Sequence, residues 1–331
     1  MDKNINIKKR AAILSLIIGC GMFAAKFIAY FVTGSDAIFS DAAESVVHVL
    51  ATAMALYSII LSSKPADSTH LYGHGNVEFF SAGIEGMLIF IAALFIIYES
   101  TMSIIEGQEL QKLDLGILIV GSAGVINLAL GSYLVSTGKK TNSLTLIADG
   151  KHVLTDSYTS LGVLVGISLV LFTGYKILDP LFAIAVAVNI MFTGYKLVRT
   201  SIGGLMNETD EAMLNKLINV LLQRKKDYWI DIHEFRYWRS GDSMFVDFHL
   251  ILPYYFTIQQ THGEEKELTT LFENEIQNVQ LKIHFDYCVP ELCKYCRYSE
   301  CNVRQHEFSV NFEWDRLKLT GKPVYSVYQS T

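Results

Sequence analysis

Charge is scarce in this 331-residue sequence: 18% of it is Asp, Glu, Lys or Arg, 51% is hydrophobic, and the mean hydropathy is +0.30. That balance excludes an ordinary soluble protein of this length. A basic surplus is missing too, since the formal net charge is −6, and this argues against nucleic acid as a partner. No G-x-x-x-x-G-K-[ST] stretch occurs, so no phosphate-binding loop of that kind holds ATP. H-E-x-x-H is absent as well, which removes the common zinc hydrolase motif, and no enzyme is expected. The first apolar run follows MDKNINIKKR without a small-residue cleavage site behind a short core, so a retained helix is expected and not a signal peptide.

What is present is long apolar runs. A bilayer core needs roughly 20 apolar residues per helix, and six segments qualify, near 11–33, 37–62, 79–104, 114–137, 144–173 and 177–200. Lys3, Lys8, Lys9 and Arg10 precede the first; Lys64, Lys139, Lys140, Lys196 and Arg199 flank later ones on the same side, against Lys112 and Lys176 opposite. The positive-inside rule then predicts a multi-pass integral membrane protein with both termini cytoplasmic, in the plasma (inner) membrane if the source is bacterial. The expected divisions are a cytoplasmic N-terminus 1–10, a six-helix transmembrane domain 11–205, a cytoplasmic domain 206–287 and a Cys-rich tail 288–331.

Ionisable groups inside apolar helices cost roughly 3 kcal/mol or more near the bilayer centre, so they mark cavities and function. The fifth segment carries Asp149, His152 and Asp156, and the second carries Glu44 and His48. His152 and Asp156, like Glu44 and His48, are four apart and share a helix face. Two such helices side by side offer two imidazoles and two carboxylates to one point, a tetrahedral site of the zinc type. Lys26 in the first segment either pairs with a bundle carboxylate or snorkels to a headgroup, and Cys20 reads as a small core residue. Asp41 reads as a carboxylate near a helix N-terminus. Glu85 and Glu99 lie in the third segment. Gly121, Ser122, Ala123, Gly124, Gly131 and Ser132 let the fourth approach its neighbours closely, while Asn127 either joins helices or lines the path.

In the loop SSKPADSTHLYGHGNVE, Asp67, His70 and His74 are spaced three and four apart, which is either a metal site or a polar interfacial loop. From about Thr209 the pattern predicts an α-β-β-α-β domain with two helices over three strands. It contains His233, His249, His262, His284 and Asp286, with His284 and Asp286 on one strand face. Cys288, Cys293, Cys296 and Cys301 form a C-x4-C-x2-C-x4-C run. On a reducing cytoplasmic side this suggests a thiolate zinc site or an iron–sulfur cluster, with His306 a substitute ligand.

Together these motifs resemble the cation diffusion facilitators, proton-coupled exporters of zinc and related divalent metals. The resemblance covers roughly residues 10–287 and includes the P-x-D-x-x-H-x-x-G-H loop as PADSTHLYGHG; eight of the nine histidines fall on family metal positions. It implies a six-helix membrane bundle followed by a metallochaperone-like cytoplasmic domain, in a homodimer. Glu44, His48, His152 and Asp156 would be the transport site, and Asp67, His70 and His74 the loop site. His233, His249, His262, His284 and Asp286 would form a bridging two-metal site at the contact between the cytoplasmic domains of two chains. The implied activity is metal efflux by proton antiport with alternating access. Three departures qualify the resemblance. The first pair is Glu44/His48 where the family usually has Asp or His and then Asp, a softer set that suits zinc, cobalt, nickel or iron better than manganese. Asn76 and Asn207 stand where a Lys–Asp interlock between subunits is common. The cysteine tail lies outside the common core. Zinc is the expected substrate, with protons as counter-ion; iron, cobalt, nickel, cadmium or manganese, or a membrane-bound sensor that transports nothing, are the alternatives.

Overall fold

A computed structural model describes residues 2–33, 36–106, 113–175 and 177–324. The Gly34–Ser35 turn, Lys112 and Lys176 lie outside the described residues, as do the side chains of Lys3, Lys26, Asp41 and Glu44. The chain divides into two units, Met1–Met206 and Asn207–Thr331.

The first unit contains six long helices, α1 (Asp2–Thr33), α2 (Asp36–Ser62), α3 (Val77–Glu106), α4 (Leu113–Thr141), α5 (Leu144–Thr173) and α6 (Leu178–Leu205). Each covers one of the expected apolar segments. Helix α1 starts well before its apolar run because its basic flank is structured: Lys8 is buried, with Nζ 3.5 Å from Glu78 Oε1 at the start of α3. Ser62 and Ser143 donate to the same carboxylate at 3.1 and 2.7 Å, so the ends of α2 and α4 and the start of α5 meet there as well.

The helices associate as α1 with α2, α3 with α6 and α4 with α5, and α5 touches all five others. Glycine makes two of these pairings close. A Cβ on Gly194 would stand 2.8 Å from the Gly86 carbonyl, and one on Gly131 would stand 2.9 Å from the Gly150 carbonyl. Such contacts substitute backbone packing for the hydrophobic drive that a bilayer does not supply. Ile17, Leu50, Tyr57, Ile91, Phe95 and Phe192 face outward, while Ser15, Thr52, Ser58, Glu85, Asp149 and His152 are buried. That arrangement suits lipid as the surrounding solvent. By length and composition Val77–Ile105 and Pro180–Leu205 can each cross a membrane.

The second unit runs α7 (Glu211–Leu222), β1 (Asp231–Ser240), β2 (Ser243–Leu252), α8 (Ile258–Glu275) and β3 (Val279–Tyr287), the α-β-β-α-β order expected from the sequence. Asp210 caps α7, and a reciprocal Thr257/Gln260 pair caps α8. The sheet order is β1-β2-β3, with β1 antiparallel and β3 parallel to β2. Ser240 pairs with Ser243 across a two-residue turn in which Gly241 takes φ 62°, a left-handed position that favours glycine.

Alternation along the strands separates two faces. Ile232, Phe248, Leu250 and Leu252 pack with Leu217, Leu221, Leu268 and Phe272 of α7 and α8. Ile251 points to the opposite face, where it and Ile230 pack against Leu292, Tyr295, Cys296 and Val324 of the C-terminal segment. That segment holds a 3-10 turn (Pro290–Tyr295) and α9 (Arg316–Thr320). It is therefore structured over the face of the sheet that the two helices leave bare.

Candidate metal centres

In the helical unit, α2 and α5 are neighbours, and their four-residue spacings turn ionisable side chains toward each other. His48 Nδ1 lies 3.4 Å from Asp156 Oδ2, and the His48 and His152 rings stack with centroids 5.0 Å apart. His48, His152 and Asp156 each offer a ligand atom, all within 4.8 Å of one another. His152 Nδ1 is buried with no hydrogen-bond partner among the described residues, a costly state that a bound cation relieves. Glu44 occupies α2 four residues before His48; its side chain lies outside the described residues. Gly19 of α1 backs the site: a Cβ there would stand 3.3 Å from the His48 ring.

Asp149 is in the same helix but not in that group. Thr52 donates to its Oδ1 at 3.1 Å, and both Asp149 and Glu85 are buried. Burial and position make Asp149 and Glu85 a polar interior lining beside the histidine group. Neither Thr52 nor Gly19 carried a sequence signal, because their importance comes from cross-helix proximity.

The loop group is closed by local hydrogen bonds. Asp67 accepts from the Thr69 N–H, the Thr69 hydroxyl and the His70 N–H, at 2.9, 2.9 and 2.7 Å. Those bonds hold its carboxyl well below the usual carboxylate range. His74 Nε2 is 3.2 Å and His70 Nδ1 3.4 Å from it, and the two rings are 4.4 Å apart. Gly73, at φ 82°, makes the turn that returns His74 to the carboxylate.

On the sheet, His233, His249 and His284 stand opposite one another on β1, β2 and β3. Ring centroids are 4.9 Å apart for the first pair and 4.5 Å for the second. Asp286 Oδ2 lies 2.9 Å from His249 Nδ1 and 3.6 Å from His233 Nε2, and its Oδ1 lies 3.5 Å from His284 Nε2. His233, His249 and Asp286 bring ligand atoms within 4.8 Å of one another, and His284 is not in that group. His262 is elsewhere, on α8, 3.2 Å from Glu265 and exposed. Behind the row, buried Asp231 stands 3.5 Å from His233 Nδ1, bonded by Lys318 Nζ and by the Val324 N–H at 2.9 Å. Sequence reading gave Asp231, Lys318 and Val324 no role.

Cys288, Cys293, Cys296 and Cys301 form no disulfide. Among the described residues, the groups with ligand atoms within 4.8 Å are the three already given, and the cysteines are not one of them.

Residues 12–206 match the cation efflux transmembrane domain, and residues 209–288 match the cytoplasmic domain of cation efflux proteins. The chain belongs to the cation diffusion facilitator family. An uncharacterized transporter of Synechocystis sp. is 33% identical over 276 residues, 83% of this chain and 89% of that protein. The cation-efflux pump FieF of Pectobacterium atrosepticum is 27% identical over 291 residues, covering 85% and 94% of the two chains. The manganese efflux system protein MneP of Bacillus subtilis is 27% identical over 281 residues, covering 83% and 94%. As a cation diffusion facilitator, the chain is an integral membrane transporter of divalent cations and not an enzyme. Its cytoplasmic domain is the pairing domain of a homodimer. The matched region ends at residue 288, so Cys293, Cys296 and Cys301 lie beyond it.

Proposed function

We propose that this facilitator exports zinc in exchange for protons, with Glu44, His48, His152 and Asp156 as the transported ion's ligands. The observation that carries the reading is the buried convergence of His48, His152 and Asp156 from two adjacent helices. Imidazole and carboxylate in equal number suit a borderline ion in tetrahedral coordination. Such ligands bind metal only with the imidazoles neutral and the carboxylates ionised, so metal and protons compete for them. In an inward-facing bundle, zinc displaces protons. After rocking outward, higher proton activity displaces zinc, and the protonated site returns. Asp149 and Glu85 provide further carboxyl groups along the interior for the counter-ion.

In this reading all six helices span the bilayer and both termini are cytoplasmic, the orientation that the distribution of Lys and Arg favours. The functional divisions are 1–10, 11–205, 206–287 and 288–331. Asp67, His70 and His74 hold a second ion. His233, His249, His284 and Asp286, with His262 of the partner subunit, hold regulatory zinc that favours the closed dimer by its differential affinity for it.

The test is metal-dependent proton flux in proteoliposomes, with zinc, iron, cobalt, nickel, manganese and cadmium supplied one at a time. Zinc flux driven by an imposed pH step and abolished by His152→Ala supports the reading. Uptake indifferent to pH steps and to a protonophore would remove the antiport. A preference for manganese, the ion named for the Bacillus subtilis relative, would replace zinc as substrate.

A further inference from the structure

The four cysteines near the C-terminus belong to neither the transport site nor the histidine row, yet their surroundings are specialised. Cys293 lies in the 3-10 turn Pro290–Tyr295, and the Cys296 N–H donates to the Cys293 carbonyl at 3.2 Å, closing the C-x-x-C turn. The Tyr298 N–H is bonded to the Cys296 sulfur, two residues on, and the Tyr254 N–H to the Cys288 sulfur. Arg304 locks the loop from outside. Its guanidinium donates to the carbonyls of Cys296 and Tyr298 at 3.0 and 2.8 Å, with longer contacts to those of Cys293 and His306 at 3.4 and 3.5 Å. All four are free thiols, and Cys288 and Cys296 pack in the same apolar cluster.

Four cysteines around an arginine-braced turn, three of them only partly buried, are poorly explained as hydrophobic filling. Four sulfur ligands at this spacing suit a dication that prefers sulfur. We infer that Cys288, Cys293, Cys296 and Cys301 bind one zinc-type ion in an all-thiolate tetrahedral site that staples the 288–324 segment across the histidine face of the sheet. Closing it takes side-chain rotation that draws the sulfurs inward on a backbone already turned for the purpose.

The staple has a specific beneficiary. Leu292, Tyr295 and Cys296 pack on Ile230, next to Asp231 in the chain, and on Ile251, two residues after His249, and the same segment supplies Lys318 and Val324 to Asp231. Asp231 in turn stands behind His233. Metal at the cysteines thus positions a ligand of the row without touching it. Its residues lie in the second unit, while the proposed transport ligands lie in the first.

The experiment uses the full chain, reduced and metal-free in detergent, carrying Cys20→Ser so that only the four tail thiols remain. Cobalt(II) is the probe. One equivalent should produce intense thiolate-to-cobalt charge transfer in the near ultraviolet and tetrahedral visible bands, displaced by one equivalent of zinc. Zinc should also protect all four thiols from alkylation, read by intact mass. Both signals should survive His233→Ala with Asp286→Ala and vanish with Cys293→Ser and Cys296→Ser. Should the latter variant not fold, Cys301→Ser must shift the charge-transfer band. Cobalt spectra showing nitrogen and oxygen ligation alone, alkylation unaffected by zinc, or iron–sulfur absorption in anaerobically purified protein would each overturn the assignment. Proton-coupled flux plays no part in these readouts, so each idea can fail without the other.

Discussion

His233 and His249 stand opposite each other on β1 and β2 with ring centroids 4.9 Å apart, and a β-bulge immediately after His233 permits this. Between His233 and Arg236 the first strand holds one residue more than its partner, and Glu234 takes φ 51° there. The bulge turns His233 toward Asp286 while Phe235 enters the helix-covered core. The Glu234 N–H is held by the Gly321 carbonyl at 2.9 Å, so the C-terminal segment supports the bulge as well.

Removing a ligand of the buried helix site should abolish transport without dismantling the protein. His152→Ala or Asp156→Ala is expected to lower metal-dependent flux by about 100-fold or more. Zinc binding at the cytoplasmic domain, measured by calorimetry on the same preparation, should be unchanged. Wild-type flux in His152→Ala would remove that residue from the pathway.

Gly19 sets the space for the His48 ring, with a Cβ falling at 3.3 Å. Gly19→Ala should therefore have a small effect and Gly19→Leu a large one, about 100-fold on transport if the ring moves by about 1 Å. Equal flux in the two variants would show that the close approach is incidental.

Lys318 neutralises Asp231, which is completely buried. Lys318→Met leaves that carboxylate without its cation and should cost about 3 kcal/mol of cytoplasmic-domain stability. By loosening the support behind His233, it should also weaken metal binding at the row by about 10- to 100-fold. Lys318→Arg should restore much of both. Stability lost with metal affinity intact would separate Asp231 from the metal site.

Burial raises the Cys288 and Cys296 thiols above their ordinary 9.0, outweighing the N–H bonds from Tyr254 and Tyr298 that lower them. For a group whose folded value is raised, the stabilising contribution is complete below the unfolded value and is lost as pH climbs through the folded one. The metal-free tail should therefore be stable and slow to alkylate near neutrality. Above about pH 9 it should loosen and react faster. Alkylation rates followed by mass spectrometry across that range provide the check; fast reaction at pH 7 would contradict the burial.

The membrane bundle was legible because a bilayer demands long apolar runs, and any ionisable residue inside one stands out. The convergence of His48, His152 and Asp156 was legible because a helix repeats its faces at four residues. Asp67, His70 and His74 needed only a short loop. The α-β-β-α-β order could be read from the change of hydrophobic period between helix and strand. Gly19, Thr52 and Glu85 could not be assigned, because what matters about them is which helix lies across the gap.

The sequence by itself determined the membrane class, the helix positions and the identity of most candidate ligands, since each rests on composition or spacing within one element. Only the tertiary structure decided that three histidines form a row across the sheet while His262 stays apart on α8. Strand register depends on hydrogen bonds between distant segments and on one bulge, neither of which local periodicity encodes. The same reason applies to Asp231. Its partners Lys318 and Val324 arrive from far along the chain, and a buried carboxylate is satisfied by whatever folding brings beside it.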